Sequence, residues 1–263
     1  MAGLIVLKCG GSTMEQLPDE FFSTITELTQ DGKQVVIVHG GGPAINDLLK
    51  KLQIEPQFID GMRVTCMDTM QAVEMVLAGS INKFLVRRVQ QAGGKAWGMS
   101  GQDAGMIIAS QTEKPLGLVG EIQQVNTAPI RAILDMGCIP VIAPLGVAAD
   151  GSTVFNINAD VAAGAIAAAL SADKLMLVTD VPGILEVQAD GSKTLKAEAG
   201  PEEIKQMIAD GIIYGGMIPK VTSALDALGQ GVKEVVICKG TSDDLIKAFA
   251  NEKTGTSIKG VSV

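Results

Sequence analysis

The chain has 263 residues, 47% of them hydrophobic and only 3% aromatic, which is enough for one large α/β domain, or two small ones, with an aliphatic core. Its 21 basic and 29 acidic residues give a net charge of −8, which argues against a general nucleic-acid-binding protein. The four cysteines form no CxxC pair and His39 is the single histidine, so zinc-finger and multi-histidine metal sites are excluded.

In chain order, runs of apolar and β-branched residues alternate with stretches whose apolar residues recur at helical spacing. The first part of the chain predicts a strand at 4–9, a helix at 19–30, a strand at 34–39, a helix at 43–52, and a helical hairpin or one long broken helix at 68–91. The second part predicts a small β excursion at 117–125, a helix at 128–137, a strand at 138–145, a helix at about 161–170, a strand at 174–180, helices at 201–210 and 216–228, and a strand at 233–238. The ADG turns at 149–151 and 189–191 indicate further small β excursions.

Strands that are apolar throughout, separated by helices, are typical of a parallel sheet covered on both faces. The sequence therefore predicts an α/β fold, a three-layer αβα sandwich with a mainly parallel open sheet. No linker rich in proline, serine or charge interrupts the chain, so any division into lobes is shallow. The longest apolar run, Val161 to Leu170, has ten residues and is too short to span a bilayer, and we expect a cytoplasmic protein without a membrane segment.

Glycines follow two of the predicted strands, at the sheet edge where open parallel sheets bind their ligands. Gly10 and Gly11 follow the first strand, and 40–42 is a glycine triplet that leads directly into a helix. Because glycine lets a ligand approach the backbone and a helix start has free amides, the triplet favours an anion site over a simple tight turn. The chain contains neither a Walker A motif nor GxGxxG, which disfavours P-loop NTPases and dinucleotide-binding dehydrogenases.

Three isolated cations lie near these glycines or in loops. Lys8 ends an apolar strand and Lys220 follows a Gly-Gly pair, so each either meets an anion or reaches past the apolar surface into solvent. Arg63 suits bidentate binding of a carboxylate, and a surface arginine in a loop is the equal alternative. His39, at the end of a buried strand, favours a structural histidine over a catalytic base.

The segment FNINAD, residues 155–160, alternates apolar and polar residues. An extended backbone would place Asn156, Asn158 and Asp160 on one face. A helix follows directly, so Asn158 or Asp160 can alternatively serve as its N-cap.

Six motifs together resemble the amino acid kinase family in order and spacing: KCGGS (8–12), VHGGGP (38–43), GMRVT (61–65), NINAD (156–160), VTDVPGI (178–184) and GGMIPK (215–220). The resemblance runs from residue 4 to about 258. It implies the fold of that family, with an N-lobe at about 1–172 for acyl-substrate binding and dimerisation and a C-lobe at about 173–263 for nucleotide binding. It also implies in-line phosphoryl transfer from ATP to the side-chain carboxylate of N-acetyl-L-glutamate, in arginine biosynthesis, with Mg²⁺ held mainly by the ATP phosphates.

The same resemblance assigns roles to individual residues. Lys8 and Lys220 are expected to stabilise the transferring phosphoryl group, and Asp160 to orient those lysines. The acyl substrate is expected at Gly41, Gly42, Arg63 and Asn156, with Arg63 on a carboxylate. The nucleotide contacts implied are Gly10, Gly11, Asp180, Val181, Pro182, Gly183, Ile184, Leu185, Ile212, Ile213 and Tyr214.

The sequence leaves other acceptors open. A kinase of the same family acting on an aminoadipate derivative, a carbamate or UMP is the close alternative, because side-chain length is not encoded in these motifs. A non-catalytic nucleotide-binding regulator is disfavoured, because binding alone does not require Lys8, Asp160 and Lys220 together. Arginine-inhibited relatives resemble hexamers joined by an extra N-terminal helix. Since the first strand begins by about residue 4, we expect an arginine-insensitive homodimer.

Overall fold

The computed structural model of the protein describes residues 3–11, 14–187 and 192–260. Its strands are β1 (Leu4–Cys9), β2 (Gln34–His39), β3 (Phe58–Ile59), β4 (Met62–Arg63), β5 (Ala96–Ser100), β6 (Ile107–Gln111), β7 (Gly120–Val125), β8 (Ile139–Ala143), β9 (Leu145–Val147), β10 (Val154–Asn156), β11 (Lys174–Val178), β12 (Leu185–Val187), β13 (Lys193–Leu195), β14 (Glu198–Ala199), β15 (Glu234–Cys238) and β16 (Thr256–Lys259). Its helices are α1 (Asp19–Gln30), α2 (Gly42–Lys51), α3 (Met67–Glu74), α4 (Asn82–Gln91), α5 (Ala128–Asp135), α6 (Ala159–Leu170), α7 (Pro201–Ala209), α8 (Met217–Gly229) and α9 (Ser242–Ala250).

A central sheet of eight strands has the order β14-β16-β15-β11-β1-β2-β8-β5. Every neighbouring pair in it is parallel except β15 and β16. Strands from the first part of the chain lie on one side of β1, and strands from 174 onward lie on the other. The two parts therefore build one continuous sheet, with β1 and β11 side by side where they meet.

Both faces of this sheet are covered by helices, as the uniformly apolar strands predict. Successive side chains of β1 point to opposite faces. Leu4 and Val6 pack with residues of α5, α6, α7 and α8. Ile5 and Leu7 pack with residues of α1, α4 and α9. The predicted three-layer αβα sandwich is confirmed, and the alternation puts Lys8 on the face that α6 covers.

The segment predicted as a hairpin or a broken helix is one helix with a change of hydrogen bonding. A π-helical stretch, Met75–Ile81, joins α3 directly to α4, and the backbone stays in the right-handed helical region at both junctions. The hairpin alternative is therefore wrong. The first residue after the π stretch is Asn82, whose side chain is buried.

A second sheet, of order β10-β9-β6-β7, lies beside the main one. The β excursion predicted at 117–125 contains β7, which pairs antiparallel with β6. The predicted strand 138–145 is divided at Pro144 between β8 in the main sheet and β9 in the second sheet. The turn at 149–151 joins β9 and β10 as predicted, whereas the turn at 189–191 and Ser12 lie outside the described residues.

The elements that were not predicted include the strands β5, β14 and β16 of the central sheet and helix α9, whose Leu245 and Ala248 pack in the core. Across the described ranges, no helix combines the length and the apolar character needed to cross a membrane.

Helix α6 begins within FNINAD and separates its polar residues. Asn158 is the N-cap, and its Oδ1 accepts hydrogen bonds from the backbone N–H groups of Asp160, at 2.8 Å, and Val161, at 3.2 Å. Asp160 lies in the first helical turn, so the expectation of a single extended face for all three polar side chains is wrong. The capping alternative is correct for Asn158.

Candidate active site

A cavity of about 430 Å³ opens at the carboxyl ends of β1 and β2. Its position is the one that an open parallel sheet favours for ligand binding. Its lining contains ten of the residues predicted for the site: Lys8, Gly10, Gly11, Gly41, Gly42, Arg63, Asn156, Asp160, Asp180 and Lys220. Residues as far apart in sequence as Lys8 and Lys220 therefore meet in one place.

Lys8 and Asp160 form an ion pair inside the cavity. Lys8 Nζ lies 2.8 Å from Asp160 Oδ1, and the two side chains are 12% and 20% exposed. The ammonium is directed at Asp160 because Lys8 shares its face of β1 with the residues that pack on α6. The positive end of the α6 dipole also favours a carboxylate in its first turn. Apart from Lys8 Nζ, no described residue donates a hydrogen bond to Asp160 Oδ1.

Lys220 lines the same cavity from the first turn of α8. Its Nζ donates a long hydrogen bond of 3.4 Å to the carbonyl of Gly216, one turn earlier. Among the described residues, Asp160 forms its ion pair with Lys8. Lys220 therefore lines the cavity without being paired with Asp160.

The two glycine loops lie in direct contact. A Cβ on Gly11 would come within 2.8 Å of the backbone nitrogen of Gly41 and 2.9 Å of that of Gly42. Backbone at that distance cannot accommodate a side chain, which explains the glycine at position 11. Gly41 is the N-cap of α2, so this loop presents helix-start amides to the cavity, a geometry that binds anions.

Arg63 is 8% exposed, so the surface alternative for this residue is wrong. Its Nη2 donates to Asn46 Oδ1 at 2.6 Å and to the Gly42 carbonyl at 3.4 Å, and its guanidinium lies 4.8 Å from the centre of the Phe58 ring. Burial lowers the pKa of Arg63, but an arginine keeps its charge at neutral pH. Its Nη1 is buried and has no partner within the described residues, which suits a carboxylate ligand.

Asn156 is joined to the Arg63 segment through a buried hydroxyl. Its Nδ2 donates to Thr65 Oγ1 at 3.2 Å, and Thr65 Oγ1 donates to the Arg63 carbonyl at 3.1 Å. Sequence reasoning missed Thr65 and Asn46 as supports of the site. The available signals were weak: Thr65 lies two residues after Arg63 on extended chain, and Asn46 one helical turn after Gly42.

The residues predicted for the nucleotide divide into two groups. Gly10, Gly11 and Asp180 line the cavity. The others do not belong to its described lining: Val181, Pro182, Gly183, Ile184, Leu185, Ile212, Ile213 and Tyr214. Ile184 and Ile213 have buried side chains, so a ligand would meet their backbone only. Tyr214 is 70% exposed and Ile212 is also exposed, so both present apolar surface to solvent.

Carboxylates are few around the cavity. Asp160 and Asp180 line it, and no group of three or more His, Cys, Asp or Glu side chains in the described part of the chain is arranged to hold a metal ion. The two carboxylates suit a cation that brings most of its ligands with it, such as one already bound to phosphates.

His39 is buried between the glycine triplet 40–42 and Asn82, the first residue of α4. Its Nδ1 donates to the Gly40 carbonyl at 3.0 Å, and Asn82 Nδ2 lies 3.3 Å from its Nε2. A carbonyl only accepts, so the Nδ1 nitrogen carries the proton and Nε2 is the acceptor. Burial lowers the pKa of His39 to about 4, which keeps the ring neutral. The structural interpretation of His39 agrees with this geometry.

The comparisons with known proteins agree with this fold. The sequence profile of the Amino acid kinase family matches residues 3–239. The chain therefore belongs to the amino acid kinase family, as the motifs predicted. A curated relative, acetylglutamate kinase from Brevibacillus brevis, is 59% identical over 259 residues, which cover 98% of this chain and 98% of the relative.

Solved structures show the same architecture. The crystal structure of smu.665 from Streptococcus mutans UA159 matches with a TM-score of 0.83 and 35% identity, over 97% of this chain and 98% of that chain. Giardia carbamate kinase matches with a TM-score of 0.70 over 98% of this chain and 99% of that chain. At 17% identity, the second match concerns the fold alone.

The neutral state of His39 predicts a dependence of stability on pH. Below its ordinary pKa of 6.5 the unfolded chain gains a proton that the folded protein excludes down to about pH 4, so the free energy of unfolding falls as pH falls through this window. We expect urea unfolding to show a loss of about 2 kcal/mol between pH 7 and pH 5 from this group. His39→Gln lacks the titration and should show a correspondingly smaller loss. The same pH dependence in both proteins would contradict the buried, neutral ring.

Proposed function

We propose that this protein is an ATP-dependent kinase that phosphorylates the side-chain carboxylate of N-acetyl-L-glutamate. The products are N-acetyl-L-glutamyl 5-phosphate and ADP, and the reaction is a step of arginine biosynthesis. The relative from Brevibacillus brevis, named acetylglutamate kinase, supports this acceptor through its identity over nearly the whole chain. The observation that carries the proposal is one cavity lined by Lys8, by both glycine loops and by Arg63, whose Nη1 has no hydrogen-bond partner among the described residues.

The chemistry of this reaction requires positive charge rather than a base. A carboxylate nucleophile is already ionised at neutral pH, and the buried, neutral His39 lies outside the described lining of the cavity. The barrier comes from bringing two anions into line and from the charge on the transferring group. Lys8 and the loop amides supply compensating charge, and Asp160 fixes the Lys8 ammonium.

ATP carries its own divalent ion into such a site. When bound, Mg²⁺ neutralises charge on the phosphates, which hold it together with water. Asp160 and Asp180 are the carboxylates that line the cavity nearest to where those phosphates would lie. The backbone N–H groups of the glycines in both loops would donate hydrogen bonds to the phosphate oxygens.

The two ends of the acceptor would occupy different parts of the cavity. The reacting side-chain carboxylate must face the phosphoryl group beside Lys8. Arg63 then takes the other carboxylate, with Nη1 as its free donor, and Asn156 lies next to it through Thr65. Gly41 and Gly42 complete the acceptor subsite at the start of α2.

We further propose the division of labour between the two lobes that the sequence suggested. Residues to about 172 would bind the acyl substrate, and residues from about 173 would bind the nucleotide near 180–185 and 212–214. Closure of the lobes would bring Lys220 onto the phosphoryl group and exclude water, which destroys an acyl phosphate. A cytoplasmic homodimer that arginine does not inhibit completes the proposal, and the edge strand β5 carries an exposed Trp97 suited to a subunit contact.

The acceptor itself is tested by a coupled assay of ADP release. N-acetyl-L-glutamate, N-acetylaspartate, glutamate, carbamate, UMP and N-acetyl-2-aminoadipate are compared at equal concentrations with MgATP. We expect N-acetyl-L-glutamate to give the highest kcat/KM. A higher kcat/KM for another compound would identify that compound as the acceptor instead. Absence of turnover with all of them would favour a binding protein.

Removal of either lysine should act on the chemical step. Lys8→Ala and Lys220→Ala are each expected to lower kcat roughly 100- to 1,000-fold, because their charge matters most in the transition state. The Michaelis constants should change far less. Lys205→Ala, at an exposed position of α7, is the matched control and should behave as the parent protein. An unchanged kcat for Lys8→Ala or Lys220→Ala would remove that lysine from catalysis.

Arg63→Ala should act on one substrate only. The loss of a buried, charge-assisted carboxylate contact is expected to raise the Michaelis constant for N-acetyl-L-glutamate about 10- to 100-fold. The Michaelis constant for ATP, measured at saturating acceptor, should stay within about twofold of the parent value, because Arg63 binds the acceptor and not ATP. Equal changes in both constants would mean that Arg63 is structural.

A further inference from the structure

The partners of Arg63 are all uncharged. Its guanidinium contacts an amide oxygen on Asn46, a backbone carbonyl at Gly42 and the face of Phe58. Within the described ranges of the chain, Arg63 forms no ion pair with a carboxylate. The shortest of its contacts, 2.6 Å, is the one to Asn46 Oδ1.

A buried arginine with neutral partners is energetically unusual. Moving a guanidinium out of water is costly, and a carboxylate is the common compensating partner. A carboxylate at position 46 would supply that compensation and would also cancel the charge that attracts an anionic ligand. An amide oxygen orients the guanidinium by the same hydrogen bond and leaves its charge available.

The position of Asn46 connects Arg63 to the glycine loop. Asn46 lies on α2, one turn after the Gly42 that begins this helix. Arg63 Nη2 contacts both residues, so the guanidinium is fixed relative to the helix-start amides. The separation between the two anion-binding parts of the cavity is therefore set by α2 itself.

We propose that Asn46 is a positioning residue that sets the affinity for the acceptor's second carboxylate, because its neutral amide oxygen fixes Arg63 while leaving the guanidinium charge uncompensated. This inference rests on the proposed function, since it assumes an acceptor with a carboxylate at Arg63. The unpartnered Nη1 of Arg63 is the donor that the arrangement reserves for that carboxylate.

Asn46→Asp is the decisive variant. It keeps the shape of the side chain and the oxygen that accepts from Arg63, and it adds one negative charge. We expect kcat/KM for N-acetyl-L-glutamate to fall about tenfold or more, through KM, because the new carboxylate competes with the substrate for Arg63. The KM for ATP should be unchanged.

A truncated acceptor separates charge from structure. The compound 4-acetamidobutanoate is N-acetylglutamate without the carboxylate assigned to Arg63, and its kcat/KM is measurable from rates below saturation. We expect Asn46→Asp to leave this value within about twofold of the parent protein. An equal fall for both acceptors, or no fall for N-acetyl-L-glutamate, would overturn the role of Asn46.

Two further variants complete the test. Gln53→Glu adds the same charge at an exposed residue just beyond the C-terminal end of α2. It should leave kcat/KM unchanged for both acceptors. If Asn46→Asp does not fold, Asn46→Ala takes its place, because it removes the side-chain oxygen that accepts the hydrogen bond from Arg63. It should lower kcat/KM for N-acetyl-L-glutamate more than kcat/KM for 4-acetamidobutanoate. An equal loss for the two compounds would overturn the inference. Absence of turnover of N-acetyl-L-glutamate by the parent protein would instead overturn the proposed function.

Discussion

The ion pair between Lys8 and Asp160 joins the end of the central strand to the first turn of α6, and the cavity is arranged around it. Lys8 is a strand residue that points away from bulk solvent, so its ammonium needs an anion nearby. Asp160 supplies one, stabilised in turn by the start of its helix. The pair fixes the position of a positive charge between two loops of glycine, where a phosphoryl group can approach the backbone.

The distribution of charge around the cavity contrasts with that of the whole chain. The protein carries a net charge of −8, yet its cavity collects Lys8, Lys220, Arg63 and helix-start amides, with Asp160 and Asp180 as the carboxylates of the lining. Arg63 is held by neutral groups, and among the described residues Asp160 forms an ion pair with one lysine, Lys8. Cationic groups with few internal partners are what a site for two anionic reactants requires.

Polar residues around the cavity hold these groups in place. Asn46 fixes Arg63 from α2, Thr65 joins Arg63 to Asn156, and Asn82 lies beside His39 below the glycine triplet. Each connects elements distant in sequence. Because these hydrogen bonds fix the orientation of the groups they join, a change in one of the polar residues affects the neighbour that it holds.

Local pattern in the sequence was sufficient for most of the fold. Apolar strands at β1, β2, β8, β11 and β15, with intervening helices, predicted the covered parallel sheet and hence the edge where the cavity lies. Short strands such as β5 and β16 were missed because they lack an alternating pattern, and β6 because periodicity does not distinguish a short buried strand from other core.

The sequence by itself determined the family, the layers of the fold and the charged residues that line the cavity, because glycine loops, terminal lysines and apolar periodicity are local properties. Only the tertiary structure decided which charges meet. It made Asn158 the cap and Asp160 the partner of Lys8, gave Arg63 the amide of Asn46, and left Lys220 apart from Asp160. Such pairings depend on the relative orientation of elements far apart in the chain, which packing sets and local periodicity does not encode.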